Sequence, residues 1–339
     1  MDVVNFIRTM PKAELHLHIS GTMSPQTVMR LAERNGIDIP YKTEEDFVEA
    51  QQYKSPEDFF RYHMTCFEVL RTRQDIYDST MDFLERCQEE NIRHVELTFA
   101  PQQYFDNGIS VDDLMEALDE ASRDGLAKYG VSSVLLMCIN REFSEESALD
   151  MLSAMIPHRD RIAGMGLCSN EKGNPPIKFR KAYDEARRQG YRLTAHCDCD
   201  MENSAQHIYQ CIHVLGVERI DHGVNSIEDD SIVDALIDRK IPLTICPTWT
   251  PLDSRPRRIG RLRALHERGV TVTVNTDDPA EFASGYMCNM MEALTKHGFT
   301  PEELLNFMRN AFSSSWIAEA EKDKFLDELE THAKAHGLA

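Results

Sequence analysis

The strongest constraint on the fold is an alternation repeated eight times. Short apolar, β-rich runs occur at residues 13–19, 94–100, 131–139, 161–168, 191–197, 219–223, 241–246 and 271–277. Most successive runs are separated by a helix-length stretch, such as residues 176–189 or 204–215. This pattern predicts a parallel sheet, because a parallel connection needs a crossover long enough to hold a helix. Eight such units in 339 residues predict an α/β protein closed as a (β/α)8 TIM barrel. An open doubly wound sheet is the alternative. It more often carries a glycine-rich phosphate loop after its first strand, whereas the first run here leads into Ser20-Gly21-Thr22-Met23-Ser24-Pro25.

One interval breaks the rhythm. Residues 24–93, between the first two runs, show helical periodicity, and Ser55 followed by Pro56 reads as a helix cap with proline at the first position. The expectation is a helical cap inserted between strands 1 and 2 at approximately 24–93, within one domain spanning 1–339. Its aromatic residues pack on the barrel, and Phe59 and Phe60 are candidates to roof a pocket. Terminal helices are expected at 301–310 and 315–332.

The formal charge of −20 argues against nucleic acid as a partner, since phosphate backbones are bound by Lys and Arg clusters. No apolar run approaches the roughly 20 residues that cross a membrane. The start, Met1-Asp2-Val3-Val4-Asn5-Phe6, lacks the basic and apolar regions of a signal peptide. A cytoplasmic protein acting on a small molecule is expected. The nine cysteines form no spaced framework, and most are expected to be reduced and buried.

The chemistry-bearing residues cluster at the ends of the runs. In Ala13-Glu14-Leu15-His16-Leu17-His18-Ile19 the alternation places His16 and His18 on one side of a strand. The fifth run ends on His196, the sixth on Asp221-His222-Gly223, and the eighth on Asp277-Asp278-Pro279. A barrel of this kind carries its active site at the C-terminal ends of its strands. Three imidazoles and one carboxylate suit Zn²⁺ and leave a position for water. Two readings of His222 remain open: a further ligand, or a base or electrostatic partner beside that water. A zinc knot on Cys197 and Cys199 needs a second cysteine pair, and none lies nearby. Deaminases of the His-x-Glu type need a Pro-Cys-x-x-Cys, which does not occur here, although His94-Val95-Glu96 matches the first half.

These segments, in this order and spacing, resemble the adenosine deaminase family of the metal-dependent amidohydrolases. Pro11-Lys12-Ala13-Glu14-Leu15-His16-Leu17-His18 resembles its opening motif, and His94 to Pro101 its second strand. Gly166-Leu167-Cys168-Ser169-Asn170-Glu171 is similar to the loop after its fourth strand, and Asp221-His222-Gly223 and Asn275-Thr276-Asp277-Asp278-Pro279 to its sixth and eighth. The resemblance covers nearly the whole chain. It implies a zinc-bound (β/α)8 barrel that removes an amino group from a purine and releases ammonia. It also implies His16, His18, His196 and Asp277 as ligands, His222 beside the attacking water, and Asp278 on a substrate ring nitrogen. Other divalent metals, Fe²⁺ or Mn²⁺, remain alternatives.

The departures are informative. The family's fifth strand ends in His-Ala-Gly-Glu, and that glutamate moves a proton to the purine ring. Here Cys199 stands three residues after His196, and the interval to Ser204 is two residues longer. The acid is therefore expected within Asp198-Cys199-Asp200-Met201-Glu202, with Glu202 favoured over Asp198 and Asp200. Ser20 replaces an acid that meets the ribose 5′ end, so plain adenosine is not the expected substrate. Ser20 and Gly21, with Ser169 after strand four, are expected on the substrate side. Two other readings stand beside the deaminase: hydrolysis of another C–N bond or amino-heterocycle, and a metal-binding relative without turnover.

Overall fold

The computed structural model describes residues 2–197, 203–247, 255–282 and 285–338. The eight runs appear as nine parallel strand segments: β1 Lys12–His18, β2 Ile92–Phe99, β3 Ser132–Asn140, β4 Ile162–Cys168, β5 Arg192–Leu193, β6 His196–Cys197, β7 Ile220–His222, β8 Leu243–Ile245 and β9 Val272–Val274. Hydrogen bonding runs β1-β2-β3-β4-β5 and β6-β7-β8-β9. β5 and β6 are two parts of one barrel strand. Between them Thr194 N donates to Met165 O at 2.9 Å, and Asp221 N donates to Ala195 O at 3.0 Å, so both neighbours stay paired. The ring closes where β1 meets the chain after β9. Leu17 pairs in parallel with Asp277, His18 N donates to Asp277 O at 2.9 Å, and Asp277 N donates to His16 O at 3.1 Å. The sheet is therefore the expected eight-stranded barrel.

Buried side chains fix this closure as well. Leu15 N donates to Asn275 Oδ1 at 2.8 Å, and Thr276 N donates to Glu14 Oε1 at 2.7 Å. Glu14 shares the inward parity of His16 and His18, and burial raises its pKa to about 7. Deeper in the barrel, Arg219 contacts Glu96 at 2.7 Å and Asp221 at 3.7 Å, with all three buried. Its guanidinium lies 4.2 Å from the Trp316 ring centroid. Buried charges persist only when paired in this way, since an unpaired one keeps its full desolvation cost.

One helix, α1 (Val3–Thr9), precedes β1. Four more separate β1 from β2: α2 Pro25–Asn35, α3 Glu44–Ala50, α4 Pro56–Phe67 and α5 Arg73–Glu89. α4 starts as the sequence suggests, with Ser55 Oγ accepting from Asp58 N at 3.2 Å. Together with the chain just before it, α4 is clasped to the segment after β9. Gln51 Nε2 donates to Ala280 O and Tyr53 Oη to Glu281 O, both at 2.9 Å, and Phe59 stacks on Phe282.

The last two helices differ from expectation in their limits, running Pro301–Ser314 and Glu319–Ala335. The break exists because Trp316 N leaves the helical pattern to donate to Glu96 Oε1 at 2.6 Å. No described helix is long and apolar enough to cross a membrane, and all eight described cysteines are buried.

Candidate active site

The ends of β1, β6 and β7 and the chain after β9 meet at one end of the barrel. His16 Nε2 and His18 Nε2 each lie 3.0 Å from His196 Nε2. Asp277 Oδ1 lies 3.4 Å from His16 Nε2 and 3.5 Å from His18 Nε2. Three ring nitrogens and a carboxylate oxygen so close cannot satisfy one another with single hydrogens. Two ligands each about 2.0–2.1 Å from one zinc ion stand roughly 2.9–3.4 Å apart, which is this spacing. The donor set therefore fits a divalent metal.

The surrounding groups aim these ligands. His16 Nδ1 donates to Thr244 O at 2.9 Å, so that Nε2 would present its lone pair to a bound metal. His196 Nδ1 faces Asp221 Oδ2 at 3.5 Å, and Asp221 Oδ1 accepts from Thr244 Oγ1 at 2.7 Å. Glu96, Arg219 and Asp221 thus form a buried chain of charge ending behind His196. Burial drives His196 well below the usual histidine range and His18 down to about 4. His16 runs the other way, because its hydrogen bond and charge interactions with Asp277 outweigh burial. Burial pushes Asp277 up, but the His16 hydrogen bond and the surrounding imidazoles hold it well below the carboxylate range.

His222 belongs to the same cluster at a greater distance. Its Nε2 is 3.9 Å from Asp277 Oδ2, and its ring centroid is 4.4 Å from that of His16. Burial also holds it well below the usual range. A second donor combination, His16 with His222, Cys246 and Asp277, has its ligand atoms within 4.8 Å of one another. The set with His18 and His196 makes the shorter contacts. Backbone strain gathers at the same place. Of the five described non-glycine residues with left-handed backbone, three are His222 (φ 65°), Asp277 (φ 66°) and Ser169 (φ 76°). Such conformations cost about 1–3 kcal/mol each and persist where surroundings enforce them.

The cluster opens into a cleft of about 690 Å³. His18, Ser20, Ser169, His196, His222, Asp277 and Asp278 line it, together with Phe59, Phe60 and His63 from α4 and Arg258 from the helix Arg255–Glu267. Asp278 Oδ1 is buried without a hydrogen-bond partner. Burial, then the charges of Asp277 and Glu281, raise its pKa well above the usual range. Gly21 is packed against Asp278, where a β-carbon would lie 2.5 Å from Asp278 Cβ, so the turn after β1 needs glycine there. Ser169 Oγ donates to Glu142 Oε1 at 2.6 Å. Asp198, Asp200 and Glu202, the candidates for the proton-carrying acid, and Cys199 lie outside the described residues.

Several site residues escaped the sequence reading: Glu14, Asp221, Thr244, Arg258, and the pair His63 and Glu281. Glu14 had a signal, a carboxylate on the same side of β1 as His16 and His18. His63 had none, because its partner lies 218 residues away.

Comparison with known proteins agrees with this geometry. The Adenosine deaminase family model matches residues 11–332. An adenine deaminase of Vibrio parahaemolyticus is 39% identical over 334 residues, covering 98% of each chain. One from Wolinella succinogenes is 37% identical over 326 residues, covering 95% of this chain and 98% of the relative. The crystal structure of adenine deaminase from Arthrobacter aurescens superposes with a TM-score of 0.90 at 36% identity, covering 96% of this chain and 99% of that one. An amidohydrolase from Burkholderia ambifaria with bound zinc gives a TM-score of 0.88 at 25% identity, covering 99% of this chain and 95% of its own. With a metal-ready cluster at the barrel mouth, the chain belongs to the adenosine deaminase family of metal-dependent hydrolytic deaminases.

Proposed function

We propose that this protein is a zinc-dependent aminopurine deaminase acting on adenine or a close free-base relative. The net reaction replaces the ring amino group with oxygen from water and releases ammonia. The observation that carries this reading is the convergence of His16, His18, His196 and Asp277 beside His222 and Asp278 in one cleft. Zinc held by the first four residues supplies a Lewis-acidic centre at which water acts as a nucleophile near neutral pH.

The other residues do the positioning. His222 orients the attacking water and holds its proton. Asp278, whose Oδ1 lacks a protein partner, takes a ring nitrogen of the substrate. A carboxylate within Asp198, Asp200 and Glu202, with Glu202 favoured, carries the proton to the ring.

Ser20 and the names of the relatives support a free base over a nucleoside. A site built around a hydroxyl contact rejects substrates that lack it, and a site without that contact gains nothing from the sugar. Ammonia release from adenine, adenosine and 5′-modified analogues tests this. Adenine will exceed adenosine in kcat/KM by at least about 10²-fold. Adenosine as the best substrate by a wide margin would make Ser20 a neutral replacement and overturn the free-base assignment. No ammonia from any aminopurine would overturn the deaminase reading and leave hydrolysis of another C–N bond or a turnover-free binding role.

A further inference from the structure

The proposed chemistry leaves unused a second buried polar group in the same cleft. His63, on α4, places Nδ1 3.0 Å from Glu281 Oε2 and 3.2 Å from Oε1. Glu281 is 2% exposed and His63 8%. Phe59 packs 5.9 Å from the His63 ring and stacks on Phe282, so one side of the pair is apolar. A buried carboxylate there costs free energy that its partner only offsets, and an apolar pair of similar volume would serve packing at least as well.

The placement of the pair points to a ligand. His63 lines the cleft together with His18 and Asp278. His63, Asp278 and Glu281 each bring one ligand-type atom within 4.8 Å of the others. Asp278 Oδ1, also buried, has no hydrogen-bond partner. With Nδ1–H donated to Glu281, the ring is fixed in orientation and Nε2 is the polar atom left for a bound molecule.

We propose that His63, oriented by Glu281, is a specificity-determining residue that hydrogen-bonds the five-membered edge of an unsubstituted aminopurine base through Nε2. This rests on the reading of Asp278 as the group that takes a neighbouring ring nitrogen. A free purine carries ring nitrogens and one exchangeable hydrogen on that edge. A nucleoside has the hydrogen replaced by the sugar. A polar atom left unpaired in a buried site lowers affinity, so an N-substituted base pays a penalty that the free base does not. Glu281 acts through His63 and is a positioning residue.

The test compares adenine with 9-methyladenine on the full-length, metal-loaded protein. The wild type will favour adenine in kcat/KM by at least about 10²-fold. His63→Phe keeps a ring of similar shape and will bring the two substrates within about tenfold, by loss on adenine. Glu281→Ala will shrink the preference in the wild type and leave it unchanged in the His63→Phe background. Thermal midpoint and metal content establish that each variant is folded. If His63→Phe does not fold, His63→Gln, which keeps a hydrogen-bonding group, will retain a preference for adenine, and its loss would count against the proposal.

An unchanged preference in folded His63→Phe overturns the role of His63 while deamination stands. If neither compound releases ammonia, the assignment of adenine as substrate fails. Calorimetric binding of the same two compounds then decides the His63 proposal, which fails if they bind the wild type equally. Loss of a second metal equivalent in His63→Phe would assign the trio to a cation and overturn it.

Discussion

Replacing His222 with alanine will leave about one metal equivalent bound while kcat falls by a factor of about 10² to 10⁴, the usual worth of a positioned acid–base group. The separation of effects follows from geometry. Within the set of His16, His18, His196 and Asp277, the His196 and Asp277 atoms each lie 3.0–3.5 Å from both His16 and His18, and all four atoms lie within 4.8 Å of one another. His222 Nε2 is 3.9 Å from the other Asp277 oxygen, Oδ2. It sits alongside the donor set, as its proposed role on an adjacent water requires. Its left-handed backbone, φ 65°, is a strain that alanine also bears, so His222→Asn is the better-matched variant where stability matters. Elemental analysis beside steady-state ammonia release checks both halves. Metal lost along with activity would make His222 a ligand and favour the donor set that includes Cys246.

Asp277→Asn will remove the metal and take turnover down to background. Asparagine tolerates the left-handed backbone that Asp277 adopts and keeps its shape, so barrel closure through Leu17 and His18 survives. What disappears is the anionic ligand, which the His16 hydrogen bond and the neighbouring imidazoles hold in its ionised form against burial. Changing outer partners of metal ligands already costs about 10–100-fold in affinity, so loss of a direct ligand will cost at least about 10²-fold. His16→Ala will do the same by removing a neutral nitrogen ligand while Asp277 keeps its carboxyl group. Full metal content in both variants would remove the cluster from the chemistry.

Much of this was legible in the sequence because it follows from short-range rules. Alternation places His16 and His18 on one side of a strand, and barrel topology brings strand ends together. That suffices to gather His196, His222, Asp277 and Asp278. What was not legible depends on pairings between distant parts of the chain. Asn275 holds Leu15 across 260 residues, and Glu14 holds Thr276 across 262. Arg219 opens its strand and is fully buried because Glu96 and Asp221 meet it inside the barrel, a pairing no local pattern shows. His63 sits in a helix from which only Phe59 and Phe60 are expected at the pocket, and only the fold brings Glu281 to it. Nothing local marks the divided fifth strand either.

The most direct test titrates Zn²⁺ into chelator-stripped protein and follows ammonia release from adenine. The stripped protein will be inert, and its activity will rise linearly with added zinc and break at one equivalent. Stripped protein that deaminates adenine at the original rate would contradict the proposed function, as would zinc-loaded protein that releases no ammonia.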